Sequence, residues 1–318
     1  MADGARRLIT LAIGGNAMQP AGDGAGAQEW FSALERSLPP LVDLVRAGHD
    51  LVLTHGNGPQ VGDELLRMET SSLFVAALSL DLCVAETGGS IGYAIQQVLG
   101  NLLRAAGIDR QVVAVSTQVI VSADDPDFQR PSKPVGPFYT KTQADRLAGQ
   151  HGWHTVEDSG RGWRRVVPSP RPLRVVEAAT IRALVAGGAI PIAVGGGGIP
   201  VIETPNGLRG VEAVIEKDLA TGALAAALGA DTVFFLTGVE RVLAGFGGPS
   251  PRPLDRLSVS EARRLLDAGE FPKGSMGPKV EAAMRFVESG GERAVITSLD
   301  RVAAAVDGGA GTHITRDA

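Results

Sequence analysis

Ile192-Ala193-Val194-Gly195-Gly196-Gly197-Gly198-Ile199-Pro200-Val201 is joined through the polar turn Pro205-Asn206-Gly207 to Gly210-Val211-Glu212-Ala213-Val214-Ile215-Glu216-Lys217-Asp218. The rest of the chain is arranged around this passage. An apolar run that opens into four glycines reads as a buried strand ending in a loop where backbone must approach something closely. The turn sends the chain back as a hairpin-like segment. Lys217 and Asp218 then open an Ala-rich helix over 217–228. Bare N–H groups, a helix start and one lysine are the parts needed to hold a phosphoryl group.

The 318 residues are 44% hydrophobic and 20% charged, enough for one large α/β domain or two lobes. A net charge of −5 argues against a nucleic-acid partner, which wants a basic face. No run reaches the ~18 apolar residues of a membrane span. The first residues, Met1 to Arg7, lack a signal-peptide layout and run straight into a strand. The lone Cys83 sits in an apolar stretch and reads as a buried thiol, in keeping with a reducing, cytoplasmic compartment. Of 30 basic residues only five are lysine: 133, 141, 217, 273 and 279. Lys133, Lys217, Lys273 and Lys279 lie in or beside Gly/Pro-rich segments, where Arg cannot replace a compact ammonium at a crowded phosphate. Lys141 reads as an ordinary surface lysine.

Arg7–Ile13 and Asp50–Thr54 are strand candidates, ending at Gly14-Gly15-Asn16 and His55-Gly56-Asn57-Gly58. In α/β sheets ligands gather beyond such strand C-termini. Residues 20–27 read as a loop, and 30–47 as a helix broken at Pro39-Pro40. Residues 73–106 read as one long helix or two. Gly88-Gly89-Ser90-Ile91-Gly92 within them matches a nucleophile pattern but lacks the strand that pattern requires before the serine. Gln111–Val115 and Gln118–Val121 are strand candidates. Residues 122–170, rich in Pro, Gly and Asp, read as an inserted subdomain or lid. Arg161-Gly162-Trp163-Arg164-Arg165 within it reads as a solvated strand edge.

A helix is expected over 175–186 and strands over 189–194, 232–236 and 293–297. A helix in 254–268 is capped near Ser258 or Ser260, and an edge strand is expected near Thr312. Gly274-Ser275-Met276-Gly277-Pro278-Lys279 opens a last helix through Glu288. Lysine is unwelcome at the positive end of a helix dipole, so Lys279 points to a bound anion.

Alternating strands and helices give a mostly parallel sheet covered on both faces. There is no Walker-type G-x-x-x-x-G-K-[ST], no G-x-G-x-x-G after a strand and no His/Cys cluster with zinc spacing, so no metal ligand is assigned. His55 reads as structural. What remains is phosphoryl transfer by positioning and charge.

Seven segments resemble carbamate kinase, of the amino acid kinase fold, in order from Leu8 to Ile314: Ile13–Ala17, Thr54–Gly62, Lys133–Tyr139, Gly162–Pro170, Gly195–Val201, Gly210–Asp218 and Gly274–Ala283. The resemblance implies a three-layer αβα sandwich on an eight-stranded, mostly parallel open sheet. It implies a single domain over 1–318, in which 1–210 form the carbamate lobe with its lid and 211–318 the nucleotide lobe. It also implies a homodimer, ATP or ADP with Mg²⁺, and carbamate or carbamoyl phosphate as substrates.

The reaction implied is ATP + carbamate ⇌ ADP + carbamoyl phosphate, run toward ATP in nitrogen catabolism such as arginine metabolism. Carried over by motif, Lys133 reaches from the lid to the transferring phosphoryl. Lys217 and Lys279 stabilise its charge, and Asp218 orients them. Gly14, Gly15, Asn16, Gly56, Asn57, Gly196 and Gly197 form the substrate and phosphate side. Thr237, Gly238, Leu243, Gly274 and Met276, with Lys217 and Lys279, form the nucleotide side. The chain departs from the family at Gly238, usually Asp, and Leu243, usually Tyr. It departs again at Glu86–Ser90, where the family has Met-Ser-Gln-Gly. A relative redirected to another small carboxylate or carbamate, or a non-catalytic homologue, is the alternative.

Overall fold

The computed structural model describes residues 6–14, 27–158, 160–248, 250–272 and 274–317. The expected loop over 20–27 lies almost wholly outside them, as do Gly15, Asn16 and Lys273. The chain runs from β1 (Leu8–Ile13) to α1 (Ala27–Ser37), α2 (Pro39–Arg46), β2 (Asp50–His55), α3 (Gly58–Ser71) and the long α4 (Leu80–Ala105). After β3 (Val112–Ala114) and β4 (Gln118–Val121) it departs into β5 (Lys133–Tyr139), α5 (Lys141–His151), β6 (His154–Glu157) and β7 (Trp163–Val167). It returns on β8 (Pro172–Val175), followed by α6 (Ala178–Ala186), β9 (Ile190–Ile192), β10 (Ile199–Thr204), β11 (Gly207–Gly210), α7 (Lys217–Leu228) and β12 (Thr232–Leu236). The remainder is β13 (Val242–Ala244), β14 (Arg252–Leu254), β15 (Arg256–Ser258), α8 (Val259–Asp267), α9 (Met276–Glu288), β16 (Arg293–Thr297), α10 (Val302–Val306) and β17 (Thr312–Thr315).

The main sheet has eight strands in the order β15-β17-β16-β12-β1-β2-β9-β3. Only the β16–β17 pair is antiparallel. Along β1 the residues alternate between two layers, as a period of two demands. Ile9, Leu11 and Ile13 join Leu34, Leu41, Ile95 and Leu99 of the α1/α2/α4 face. Ala12 joins Val233, Phe235, Ala225, Val280 and Ala283 on the α7/α9 face. Both faces are covered, so this is the expected αβα sandwich.

The inserted segment leaves after β4 and returns on β8, which pairs antiparallel with β4. It holds its own sheet, ordered β5-β7-β6. This subdomain rests on α3: a Cβ on Gly62 would lie 3.2 Å from Gly136 Cα, and the Tyr139 hydroxyl donates to Glu69 at 3.1 Å. The hairpin around Pro205-Asn206 is β10–β11, which extends β4 in a second sheet.

Local signals act as read in several places. Pro39 stands in the first turn of α2, where its missing N–H costs nothing, and the helical run breaks at Leu38. Ser258 and Glu261 form a reciprocal capping box on α8.

Four expectations need correction. Val175 ends a strand paired with Val119, and the helix begins only at Ala178. The long helix starts at Leu80, not 73, leaving Leu73 and Phe74 exposed. β7 is the central strand of the lid sheet rather than an edge, because β5 and β6 pair on either side of it. Its arginines lie against aromatic rings, Arg164 over Phe138 and Arg165 over Trp153. Finally, β17 is not the edge of the main sheet, because Arg256–Ser258 adds β15 outside it.

Candidate active site

The parallel strands β12, β1, β2 and β9 end side by side, so their following loops share one edge of the sheet. Gly14 follows β1, and a Cβ there would sit 3.2 Å from the Leu236 carbonyl oxygen at the end of β12. The Gly56 N–H donates to Ile13 O at 3.1 Å. Asn57, buried at the start of α3, donates through Nδ2 to Thr87 Oγ1 at 2.9 Å.

The four glycines thread between these parts and α7. A Cβ on Gly195 would meet His55 Nε2 at 2.7 Å, one on Gly196 would meet Asn57 Nδ2 at 2.1 Å, and one on Gly197 the Ile215 oxygen at 2.4 Å. No side chain fits, which is the physical reason for the glycine run. Val194, which leads into it, has φ 52, the only positive φ of a non-glycine among the described residues. A β-branched residue there is strained, at a cost of order 1–3 kcal/mol. Its N–H is anchored on Thr117 Oγ1 at 3.1 Å.

α7 supplies the charged centre. Thr221 donates to Lys217 O at 2.7 Å, so the 2.7 Å bond between Thr54 and Thr221 has Thr54 as donor. These two hydroxyls tie the end of β2 to the first turn of α7. Lys217 Nζ lies 2.6 Å from Asp218 Oδ1, and Lys279 Nζ, from the first turn of α9, lies 3.0 Å from Asp218 Oδ2. Burial opposes the charged form of Asp218, but the two ammonium groups overcome it and hold the carboxyl below the usual range. α7 and α9 approach closely at Gly222, where a Cβ would lie 3.3 Å from Ala282 O.

Lys133, the first residue of β5 in the inserted subdomain, reaches Glu216 at 2.5 Å. Glu216 immediately precedes Lys217. Three lysines from distant parts of the chain thus converge on Glu216-Lys217-Asp218. Lys141, by contrast, pairs with Asp145 on its own helix and covers the Trp163 ring.

His55 is fully buried, with Nδ1 3.1 Å from Gly56 O. Burial pushes its pKa down to about 4, so the ring is neutral near pH 7. A cavity of about 230 Å³ opens beside it, lined by Gly88, Gly89, Ser116, Thr117 and Gly195. A larger cleft of about 480 Å³ lies against α4 and β3 and holds none of the lysines. Cys83 is buried, and burial with nearby Glu86 raises its thiol to about 11, an unreactive range.

Thr237 and Gly238 follow β12, with the Thr237 N–H on Thr297 O at 2.9 Å. A Cβ at Gly238 would meet nothing within 4 Å, so a side chain there would stand in open space. Leu243 lies on β13, opposite Pro253 of β14. Met276 begins α9 just after Gly274 and packs partly into the α7/α9 core. Leu243, Gly274 and Met276 take no part in the polar bonds above. Glu86–Ser90 lie in mid-helix, where Thr87 accepts from Asn57 and donates to Cys83 O at 2.7 Å. Sequence reasoning missed Glu216, Thr54, Thr221 and Thr87. For Glu216 the available signal was its place directly before Lys217.

The profile of the amino acid kinase family matches residues 7–298. The chain belongs to the amino acid kinase family. It is 48% identical to the carbamate kinase of Thermococcus kodakarensis over 314 residues, spanning 98% of this chain and all of that one. It is 46% identical to that of Pyrococcus furiosus over 310 residues, 97% of this chain and 99% of the relative. The structure of carbamate kinase from Giardia lamblia bound to AMP-PNP superposes with a TM-score of 0.92 at 38% identity, covering 98% of this chain and 99% of that one. The family and these relatives make the chain a phosphotransferase.

Proposed function

We propose that this chain is a carbamate kinase, interconverting ATP + carbamate and ADP + carbamoyl phosphate. One observation carries the reading: Lys217 and Lys279 share the buried Asp218 while the lid delivers Lys133 to the adjoining Glu216. Phosphoryl transfer asks the protein for positioning and positive charge rather than covalent chemistry. Both nucleophiles, a carbamate oxygen and the terminal oxygen of ADP, are already anionic, so no base need remove a proton. The site accords with this, since Asp218 is engaged by two lysines and His55 is sealed among glycines.

In this reading Lys133 follows the transferring phosphoryl, and Lys217 and Lys279 neutralise charge on it and on the leaving ADP oxygens. Asp218 keeps those two lysines in place. Gly14, Gly15, Asn16, Gly56, Asn57, Gly196 and Gly197 form the substrate and phosphate side. Thr237, Gly238, Leu243, Gly274 and Met276 serve the nucleotide. The Giardia lamblia relative bound to AMP-PNP supports ATP and ADP as the nucleotides.

Among the described residues no group of three His, Cys, Asp or Glu side chains could hold a metal. Mg²⁺ therefore fits as a companion of the nucleotide's phosphates, which it binds more readily than an all-protein cage and whose charge it reduces. Residues 1–210 act as the carbamate lobe with a lid over 122–170, and 211–318 as the nucleotide lobe. A homodimer is supported by the open edge of β3 and by exposed Leu73, Phe74, Leu82 and Tyr93 on α4 and the loop entering it. Among the described residues no helix is long and apolar enough to cross a membrane. A cytoplasmic site of action, with flux toward ATP in nitrogen catabolism, completes the reading.

The test mixes purified protein, carbamoyl phosphate and MgADP with a luciferase readout. ATP formation is expected, and folded protein that makes none above blank ends the proposal. A second reading, turnover of another small carboxylate or carbamate, is favoured by one contact: the departing residue Thr87 is the partner of Asn57. A substrate panel separates the two by which acid is turned over fastest.

A further inference from the structure

Glu216 occupies the N-cap of α7, yet its side chain caps nothing in its own helix. Short side chains such as Asp, Asn or Ser cap a helix from this position, and the longer Glu216 is free to reach elsewhere. The carboxylate turns to Lys133, 83 residues away in the inserted subdomain, at 2.5 Å. Both side chains are partly buried, 24% and 27% exposed.

The electrostatics explain why a second carboxylate is needed. Each oxygen of Asp218 already serves one lysine. A third ammonium brought beside Lys217 and Lys279 without another anion would be repelled, and the lid carrying it would be pushed away. Once a phosphoryl anion enters, it competes with Glu216 for Lys133.

We propose that Glu216 is a positioning residue, holding Lys133 and with it the lid beside the lysine pair before substrate arrives, then releasing that ammonium to the phosphoryl group. The proposal rests on the carbamate kinase reading for its kinetic arm only.

Two measurements test it together. Steady-state kinetics with carbamoyl phosphate and MgADP compare wild type, Glu216→Gln, Glu216→Asp, Lys133→Ala and the Lys133→Ala/Glu216→Gln double variant. Acylation of Lys133 in the ligand-free protein, followed by mass spectrometry, needs no activity. Glu216→Gln is expected to lower kcat/KM about threefold to fivefold and to speed Lys133 labelling about fivefold, the scale of one ion pair. Glu216→Asp recovers most of the activity. In the Lys133→Ala background Glu216→Gln adds less than about twofold, because residues acting through one another are not additive.

Equal losses in both backgrounds would mean a purely structural role and overturn the proposal, as would unchanged labelling. Should Glu216→Gln fail to fold, Glu216→Ala, which also removes the carboxylate, carries the same labelling test. An inactive wild type with faster labelling in the variant counts against the functional reading alone.

Discussion

Asp218 shows how much one side chain can decide. It is buried, charged and shared by two lysines, so its removal leaves two ammonium groups facing each other without an anion. Breaking a buried pair in this way costs about 3–5 kcal/mol. Asp218→Ala is therefore expected to lower the thermal midpoint as well as turnover, and calorimetry beside the ATP assay checks both. Lys217→Ala and Lys279→Ala behave differently. Each keeps the fold and lowers kcat about 10²–10³-fold, comparable to losing one oxyanion donor. A loss below about threefold at Lys217 contradicts its assigned role.

Among the elements, the β9 loop carries the clearest tension between local preference and global need. Val194 holds a left-handed conformation, and Gly196, at φ 68, leaves no room for a Cβ beside Asn57. Gly196→Ala must push Asn57 off Thr87 and distort the turn that follows β9. The expected result is a drop in kcat/KM of more than about tenfold with about 1–3 kcal/mol of destabilisation, read by kinetics and urea unfolding. Leu11, fully buried in the central strand, tests the sheet alone. Leu11→Ala is expected to cost about 2–5 kcal/mol in urea while the protein that remains folded keeps its kcat. A changed kcat would mean that core packing and site geometry are not separable.

For the molecule as a whole, three buried histidines set the acid limit of stability. Burial lowers the pKa of His49, His55 and His313 in the folded protein, His55 to about 4. The unfolded chain binds their protons near 6.5, so stability is complete above that value and is lost as pH falls toward 4. His55 alone accounts for about 2 kcal/mol between about pH 7 and about pH 5. Urea titrations across that interval should show the unfolding free energy falling, and a flat profile refutes the assignment of a neutral, buried ring. The proposed dimer is read by sedimentation: a mass of twice 32.9 kDa is expected, and a monomer at working concentration removes that part of the reading.

The sequence alone determined what local physics controls. Alternation along β1, the proline break at Leu38, the Ser258–Glu261 cap and the glycines beyond β1, β2 and β9 all follow from residues a few positions apart. The scarcity of lysine marked Lys133, Lys217 and Lys279, and their motifs resembled one family. The tertiary structure decided what depends on distant partners. β17 is interior only because β15 pairs outside it, and β7 is central only because β5 and β6 flank it. Glu216 pairs with Lys133 only because the inserted subdomain, packed on α3, brings that lysine to it. A carboxylate before Lys217 is an ordinary helix start until another part of the chain places an ammonium beside it, because a charge acquires its role from its neighbours in space.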